Sequence, residues 1–486
     1  MSGVVLPTPQ QVFSYQPLVQ KQLVIKKPIV KSIPYIPPEV IRIILFYLRN
    51  DKKTLAACAL VNQTFNLHVT PILYHTVSFS FPYTFTLFAK ATISESQRSR
   101  MIKHLDLSGF STMGLQKSDS AIQKVVTPQI LINILRSCTM LEAFSVSETL
   151  ESSVTFDVLK VLVFECKNIK ALDFCGLSTK QFCSALASLA EAMGQVKLVR
   201  RFNDEDNNYD DETRISFQKI KTPVLPHLQR LSLHKCPIIP EYSTILTLLA
   251  HSPNLTHLDL GGCSISDSTL DFLATETNVK KTLKHLLLAR CKNISSEAIA
   301  NFVAECEQLE VLNVYDTIIS EYDLFTILNS PSAKIFKNLD IGSSYITPRV
   351  LYAIQENCTS SLQYLGIAHA NISSISHLNE FLKAMPSIQY IDLTGVQCLT
   401  VLETNNLFND LPNDHSLQVI EMSESLLKKL GPINGWKINE TYNRRWYYFK
   451  KTLETKPDRF HPRKLDVAES GSERMSKIFQ YYSFDV

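Results

Sequence analysis

Glycine is scarce in this sequence: 13 of 486 residues, roughly 2.7% against a usual share near 7%. That scarcity argues against a fold built on glycine-rich phosphate loops or on many tight β-hairpins. Long apolar runs are missing as well. The stretch Val158–Phe164 already contains Lys160, and nothing approaches the roughly 18 residues a membrane-spanning helix needs, so no membrane partner is expected. No two of the 11 cysteines lie within five residues of each other. That removes CxxC redox pairs and paired zinc ligands, and neither a metal nor a cofactor is expected. The patterns GxxxxGK[ST], GxGxxG, HExxH and GxSxG are absent. No catalytic residue is therefore expected, and the chain is read as a non-enzyme.

The formal net charge of +3 is small, but it conceals a split. Residues 1–33 carry +4 and residues 437–486 carry +4, leaving −5 for 34–436. Neither end has the dense basic face of a nucleic-acid-binding domain, so no nucleic acid is expected as a partner, and the ends read as solvated tails. With 45% hydrophobic and 20% charged residues, globally disordered and collagenous chains are excluded. Met1–Pro7 lacks the basic-then-apolar pattern of a secretory leader, which with the odd cysteine count points to the cytoplasm and/or nucleus and to free thiols.

What the chain has in excess is leucine, 61 residues. Many follow one spelling, Leu-x-x-Leu-x-Leu. Clear copies are Leu228-Gln-Arg-Leu231-Ser-Leu233, Leu255-Thr-His-Leu258-Asp-Leu260 and Leu283-Lys-His-Leu286-Leu-Leu288, with further copies from Leu309, Phe336, Leu362, Ile388 and Leu417. From Leu228 the starts are 27, 28, 26, 27, 26, 26 and 29 residues apart, and weaker copies begin at Ile102, Leu141 and Ile169. A period of this size is the leucine-rich repeat. It predicts an α/β solenoid, a horseshoe with parallel strands on the concave face and helices such as 267–274 on the convex face. About 11 repeats are expected over 100–430. Cys236, Cys263 and Cys291 close three successive strands and read as a column of small buried hydrophobes rather than a metal or redox site. The segment Asn203–Glu212 holds six acids in ten residues and reads as a disordered loop leaving the array.

The concave face is the natural binding surface, since its side chains stand on rigid strands. Between the two strand leucines lies an acid in six copies: Asp106, Asp173, Asp259, Asp340, Asp392 and Glu421. Before the first stand His104, Arg230, His257, His285, Tyr364 and Tyr390. Together with Tyr315, the residues Arg230, His257, Asp259, His285, Asp340, Tyr364, Tyr390 and Asp392 are the candidate substrate-binding set. They suit an unidentified protein of basic or mixed charge. The competing reading is that these acids only cap or solvate the strand-to-helix turn.

Ahead of the repeats, Pro37 and Pro38 precede an apolar stripe of Val40, Ile41, Ile44, Leu45 and Leu48, the pattern of an amphipathic helix. A second helix starts near Thr54, a plausible N-cap, and a third near Asn62, closed by Pro71-Ile72-Leu73-Tyr74 and leading to an alternating Val77-Ser-Phe79-Ser-Phe81. Three short helices over 34–82 make a small core that needs a partner surface, either an adaptor or the array it would cap. After the repeats, residues 431–486 carry both tryptophans, Trp436 and Trp446, and read as a cap on the open end of the solenoid followed by a basic, aromatic tail. Residues 1–33 read as a disordered tail.

The module at 34–82 resembles an F-box, whose opening Leu-Pro-x-Glu-Leu-Leu and Ile-Leu-x-x-Leu is similar to Ile36-Pro37-Pro38-Glu39-Val40-Ile41 and Ile44-Leu45-x-x-Leu48. Its second half is similar to Val61-Asn62-Gln63-Thr64-Phe65, and Pro71-Ile72-Leu73-Tyr74 resembles fungal versions. With the repeats, the whole resembles the F-box/leucine-rich-repeat family, substrate receptors of SCF-type cullin–RING ubiquitin ligases. The resemblance implies that the module binds a Skp-family adaptor, and through it cullin and RING subunits, while the repeats bind the protein to be degraded. The residues matching the adaptor-binding motif are Pro37, Glu39, Ile41, Ile44, Leu45, Leu48, Leu55, Val61 and Phe65. The alternative use of this architecture is a scaffold or regulator of a signalling protein, of the GTPase-pathway-inhibitor type, acting without ubiquitination.

Overall fold

A computed structural model describes residues 36–451, apart from 50, 80, 95, 111–118, 197, 201–214, 218–221, 373–374, 413–414 and 439–445. The acidic segment 203–212 and the segment 1–33, both expected to be disordered, lie outside the described residues, as does 452–486, the greater part of the expected basic, aromatic tail.

The repeat spelling folds as its period dictates. Strands Arg230–Ser232, His257–Asp259, His285–Leu287, Val311–Asn313, Asn338–Asp340, Tyr364–Gly366, Tyr390–Asp392 and Val419–Glu421 pair in parallel, each with the next in sequence. The register aligns Leu231, Leu258, Leu286, Leu312, Leu339, Leu365, Ile391 and Ile420 into one column, every member of which is buried. Each such aliphatic side chain contributes about 1.5–3 kcal/mol by burial, but only because the neighbouring repeat covers it. Strands His104–Leu107, Ala143–Val146 and Ala171–Asp173 extend the same sheet towards the N-terminus. The jump from 173 to 230 breaks the sequence period but not the sheet: Leu172 pairs directly with Leu231.

The sheet extends past the repeats at both ends. Its first strand, Thr76–Ser78, opens the alternating Val77–Phe81 stretch and pairs in parallel with His104–Asp106, so the array's sheet begins inside the segment assigned to the helical module. At the other end, Tyr447–Lys450 turns antiparallel to Val419–Glu421, and Trp436–Ile438 pairs antiparallel with it. Tyr448 is fully buried there, its ring 5.1 Å from that of Phe408, and Trp436 and Trp446 pack on the main core.

The helices on the opposite side of the sheet start on hydroxyl caps. Thr179, Ser295, Ser320 and Thr347 each accept a backbone N–H three residues on, and Thr400 forms a reciprocal capping box with Glu403. Such caps satisfy donors that a first helical turn leaves open. The cysteine column also has a bonding role. Cys236, Cys263 and Cys291 are buried, and each thiol donates to a carbonyl of the preceding repeat, at 3.3, 3.0 and 3.2 Å. Burial pushes the Cys291 thiol up to about 12, and none of the eleven cysteines forms a disulfide. Among the described residues, no helix is long and apolar enough to cross a membrane.

Candidate functional site

The N-terminal module is built from α1 (Pro38–Tyr47), α2 (Lys52–Ala59) and α3 (Gln63–His75). Pro38 opens α1 where its missing N–H costs nothing. The cap of α2 is Asp51, not Thr54 as expected: Asp51 Oδ1 accepts the Thr54 N–H at 3.0 Å, and the Thr54 hydroxyl donates to Oδ2 at 2.6 Å. The third helix ends at His75, one residue past the Pro71–Tyr74 segment expected to close it; Pro71 lies inside the helix and is solvent-exposed. Asn62 caps α3 through the Phe65 N–H at 2.9 Å.

The module's own core is small: Ile41, Leu45, Leu55 and Val69 are buried, with Leu48, Phe65, Ile72 and Leu73 packed around them. Helix α1 is apolar on a second face as well. Val40, Ile43, Ile44 and Tyr47 recur at i, i+3, i+4 and i+7 and are 42, 57, 45 and 81% exposed. Leu60, Val61 and Leu67 add exposed apolar surface from the following turn and α3. Contiguous apolar exposure on a helix of a small module is the signature of a docking face.

The inner face of the repeats is different in character from the open surface expected. Asp106, Asp173, Asp259, Asp340, Asp392 and Glu421 are all buried. Asp106, Asp173, Asp259, Asp340 and Asp392 each accept the backbone N–H two residues on, at 2.9, 3.1, 3.0, 3.2 and 2.9 Å. They hold the strand-to-turn backbone, an Asx-type bond made locally in every such repeat. Asp259 Oδ1 also lies 3.0 Å from His234 Nδ1. Glu421 accepts the Tyr390 hydroxyl at 2.7 Å.

The neighbouring column is equally closed. Arg230, His257, Tyr364 and Tyr390 are buried, and His285 is half-buried. Strands in a sheet sit about 4.8 Å apart, so side chains in one column pack on each other: the His257 and His285 rings are 3.9 Å apart and the Tyr364 and Tyr390 rings 5.1 Å. Burial, with His285, Arg230 and Lys284 nearby, holds His257 far below the ordinary histidine range, so it is neutral. Burial beside His75 likewise lowers His104 to about 3. Of the nine residues expected to form an open binding surface, only Tyr315 and His285 keep partial exposure. The acidic column is thereby corrected to a turn-holding device. Among the described residues, no His, Cys, Asp or Glu cluster has the makings of a metal site.

Residues 33–113 match the model of the COS11 F-box domain, and residues 251–274 match a leucine-rich repeat model. Over 88 residues the chain is 35% identical to F-box/LRR-repeat protein 4 of Bos taurus. The chain thus combines an F-box with leucine-rich repeats. The aligned stretch is 18% of this chain and spans about 14% of that relative's length. Among solved structures, the Rad7–Elc1 complex of yeast is 12% identical, with a TM-score of 0.38 over 76% of this chain and 95% of that one. The complex of TLR13 with ssRNA13 is 14% identical, with a TM-score of 0.31 over 54% of this chain and 34% of that one.

The F-box match runs well past residue 82, through the helix Pro82–Ser94 and the strand His104–Leu107. Within the F-box, the structure divides the motif residues. Ile41, Leu45 and Leu55 are core, and Leu48 and Phe65 are half-buried supports; Pro37, Glu39, Ile44 and Val61 reach solvent. Sequence reasoning missed Ile43, Tyr47, Leu60 and Leu67, because it assigned α1 a single apolar stripe. The signal was present as a second i, i+3, i+4, i+7 set offset by one residue from the buried one.

Proposed function

We propose that this protein is the substrate-recognition subunit of an SCF-type cullin–RING ubiquitin ligase. The F-box docks on a Skp-family adaptor, which brings the cullin and RING subunits, and the repeats hold the protein to be ubiquitinated. The receptor contributes binding and positioning, and the bond-making chemistry belongs to other subunits. The observation that carries this reading is the solvent-facing stripe Val40, Ile43, Ile44 and Tyr47 beside a complete internal core. It is apolar surface that the module's own fold does not use. Eleven cysteines without a disulfide accord with a reducing compartment, the cytoplasm and/or nucleus.

Affinity purification of the full chain tests the proposal. Adaptor and cullin subunits should co-purify with the wild type and be lost together with Ile44→Asp/Tyr47→Asp. Both positions are exposed, so the fold should persist. Retention of the adaptor by this variant would refute the assignment of the face.

A further inference from the structure

Eight successive repeats place a left-handed residue at the same point, three residues after the turn-holding position. They are Gly176, Lys235, Gly262, Arg290, Asp316, Ser343, His369 and Gly395, with φ between 55° and 83°. The backbone explains the conformation. Lys235, Gly262, Arg290, Ser343 and His369 each donate their N–H to a carbonyl of the next repeat at 2.7 Å, so the chain leaves the strand while extending the inter-repeat ladder. Glycine meets that demand with least strain, and three repeats use it. In the other five the ladder gives no reason for a side chain, and strained positions of this kind concentrate at functional surfaces.

The side chains in question share one chemistry at one end of the rim. Lys235 is half-exposed and Arg290 exposed, and the exposed Lys292 follows Arg290 by two residues. Asp316 is the one acid at these left-handed positions, 3.9 Å from Arg290. The Arg290 guanidinium lies 5.6 Å from the centre of the half-exposed Tyr315 ring. That ring in turn lies across Gly342, where a Cβ would stand 2.6 Å from it. Further on the rim turns apolar: Ile318, itself left-handed at φ 53°, is 72% exposed, and Tyr345 one repeat on is 48% exposed. The parallel register spaces these groups by about one strand per repeat.

We propose that this strand-end rim, not the buried inner face, captures the recognised protein, and that its ligand is an extended acidic peptide segment with apolar residues beside its acids. The acids meet Lys235, Arg290 and Lys292; the apolar side chains meet Tyr315, Ile318 and Tyr345. The inference rests on the substrate-receptor reading, and it reverses the basic partner expected from the acidic spelling of the repeats, because those acids are spent on backbone bonds.

The test uses the full chain and three fluorescein-labelled peptides of equal length, alternating leucine with glutamate, glutamine or lysine, read by fluorescence anisotropy. The glutamate peptide should bind at least about tenfold tighter than the glutamine peptide, with the lysine peptide weakest, and the preference should shrink as salt rises. Lys235→Gly/Arg290→Gly should weaken glutamate-peptide binding about tenfold while leaving the glutamine peptide unchanged. Because glycine suits both backbones, the melting temperature of this variant should hold or rise. Equal binding of the three peptides, or a glutamate preference untouched by the double substitution, would overturn the proposal. Adaptor co-purification of the same variant reports separately on the receptor reading, since the rim and the F-box are different surfaces.

Discussion

Substituting Gly366 by alanine should be among the most damaging single-methyl changes in this protein. Gly366 ends the strand Tyr364–Gly366 and is itself buried. A Cβ there would stand 2.5 Å from both Cγ and Oδ1 of Asp340 and 2.9 Å from the Tyr364 hydroxyl. Neither neighbour has room to yield, since Asp340 and Tyr364 are both fully buried. Asp340 moreover holds the Gly342 N–H at 3.2 Å. Overpacking costs about 1–3 kcal/mol, and displacing a buried carboxylate from a backbone donor adds about 1.5–3 kcal/mol. The expected loss is therefore about 2.5–6 kcal/mol. Gly262→Ala is the reference. Its φ is 73°, but the nearest atom to a Cβ is 3.5 Å away, so it should lose only the left-handed penalty of about 1–2 kcal/mol, partly offset by reduced unfolded-state entropy. Urea unfolding of the full chain, with hydrogen exchange followed over strands 338–392, measures both. A Gly366→Ala loss below that of Gly262→Ala would refute the view that the inner face is a packed, turn-holding layer.

Other consequences follow from the same structure. Leu258→Ala, at the fully buried centre of the aliphatic column, should cost about 2–5 kcal/mol in the same unfolding assay. The pH dependence has two opposing parts. Burial raises the Asp106 carboxyl to about 6, so between roughly pH 4 and 6 the native state keeps a proton the unfolded chain has released, and stability from this group falls as pH rises. Asp106→Asn should remove that slope while retaining an acceptor for Ser108. His104, lowered to about 3, acts the other way: protonation in the unfolded state costs stability as pH drops below about 6.5, and His104→Gln should flatten that fall in a pH series of melting temperatures. Timed alkylation at pH 8 with mass-spectrometric readout should modify the half-buried Cys58, Cys175 and Cys398 well before the buried Cys236, Cys263 and Cys291.

Much of the architecture was legible because it is periodic. A spacing of 26–29 residues fixes one strand and one connecting segment per unit, and stacking does the rest. The motif residues of the F-box could be named but not sorted, since Ile41 and Ile44 are the same side chain on one helix and only packing buries the first and leaves the second exposed. The Leu-Asp-Leu spelling was ambiguous for a physical reason. Asp259 bonds the N–H of Gly261, two residues away, a local interaction that composition cannot distinguish from a solvated acid. How closely the columns pack depends on curvature, a property of the whole array rather than of any repeat. The left-handed positions are likewise invisible where the residue is lysine, arginine or histidine, because only glycine advertises them. The cap of α2 turned on a single side-chain choice, Asp51 rather than Thr54, that a helical pattern does not resolve.

The central claim is that the second apolar stripe of α1 docks on a Skp-family adaptor. Calorimetric titration of the purified full chain with purified adaptor tests it directly. The account predicts a one-to-one complex with a Kd below about 1 μM, weakened at least about a hundredfold, or roughly 2.7 kcal/mol, by Ile44→Asp/Tyr47→Asp. Absence of binding by the wild-type chain, or equal affinity of the variant with its fold intact, would contradict it.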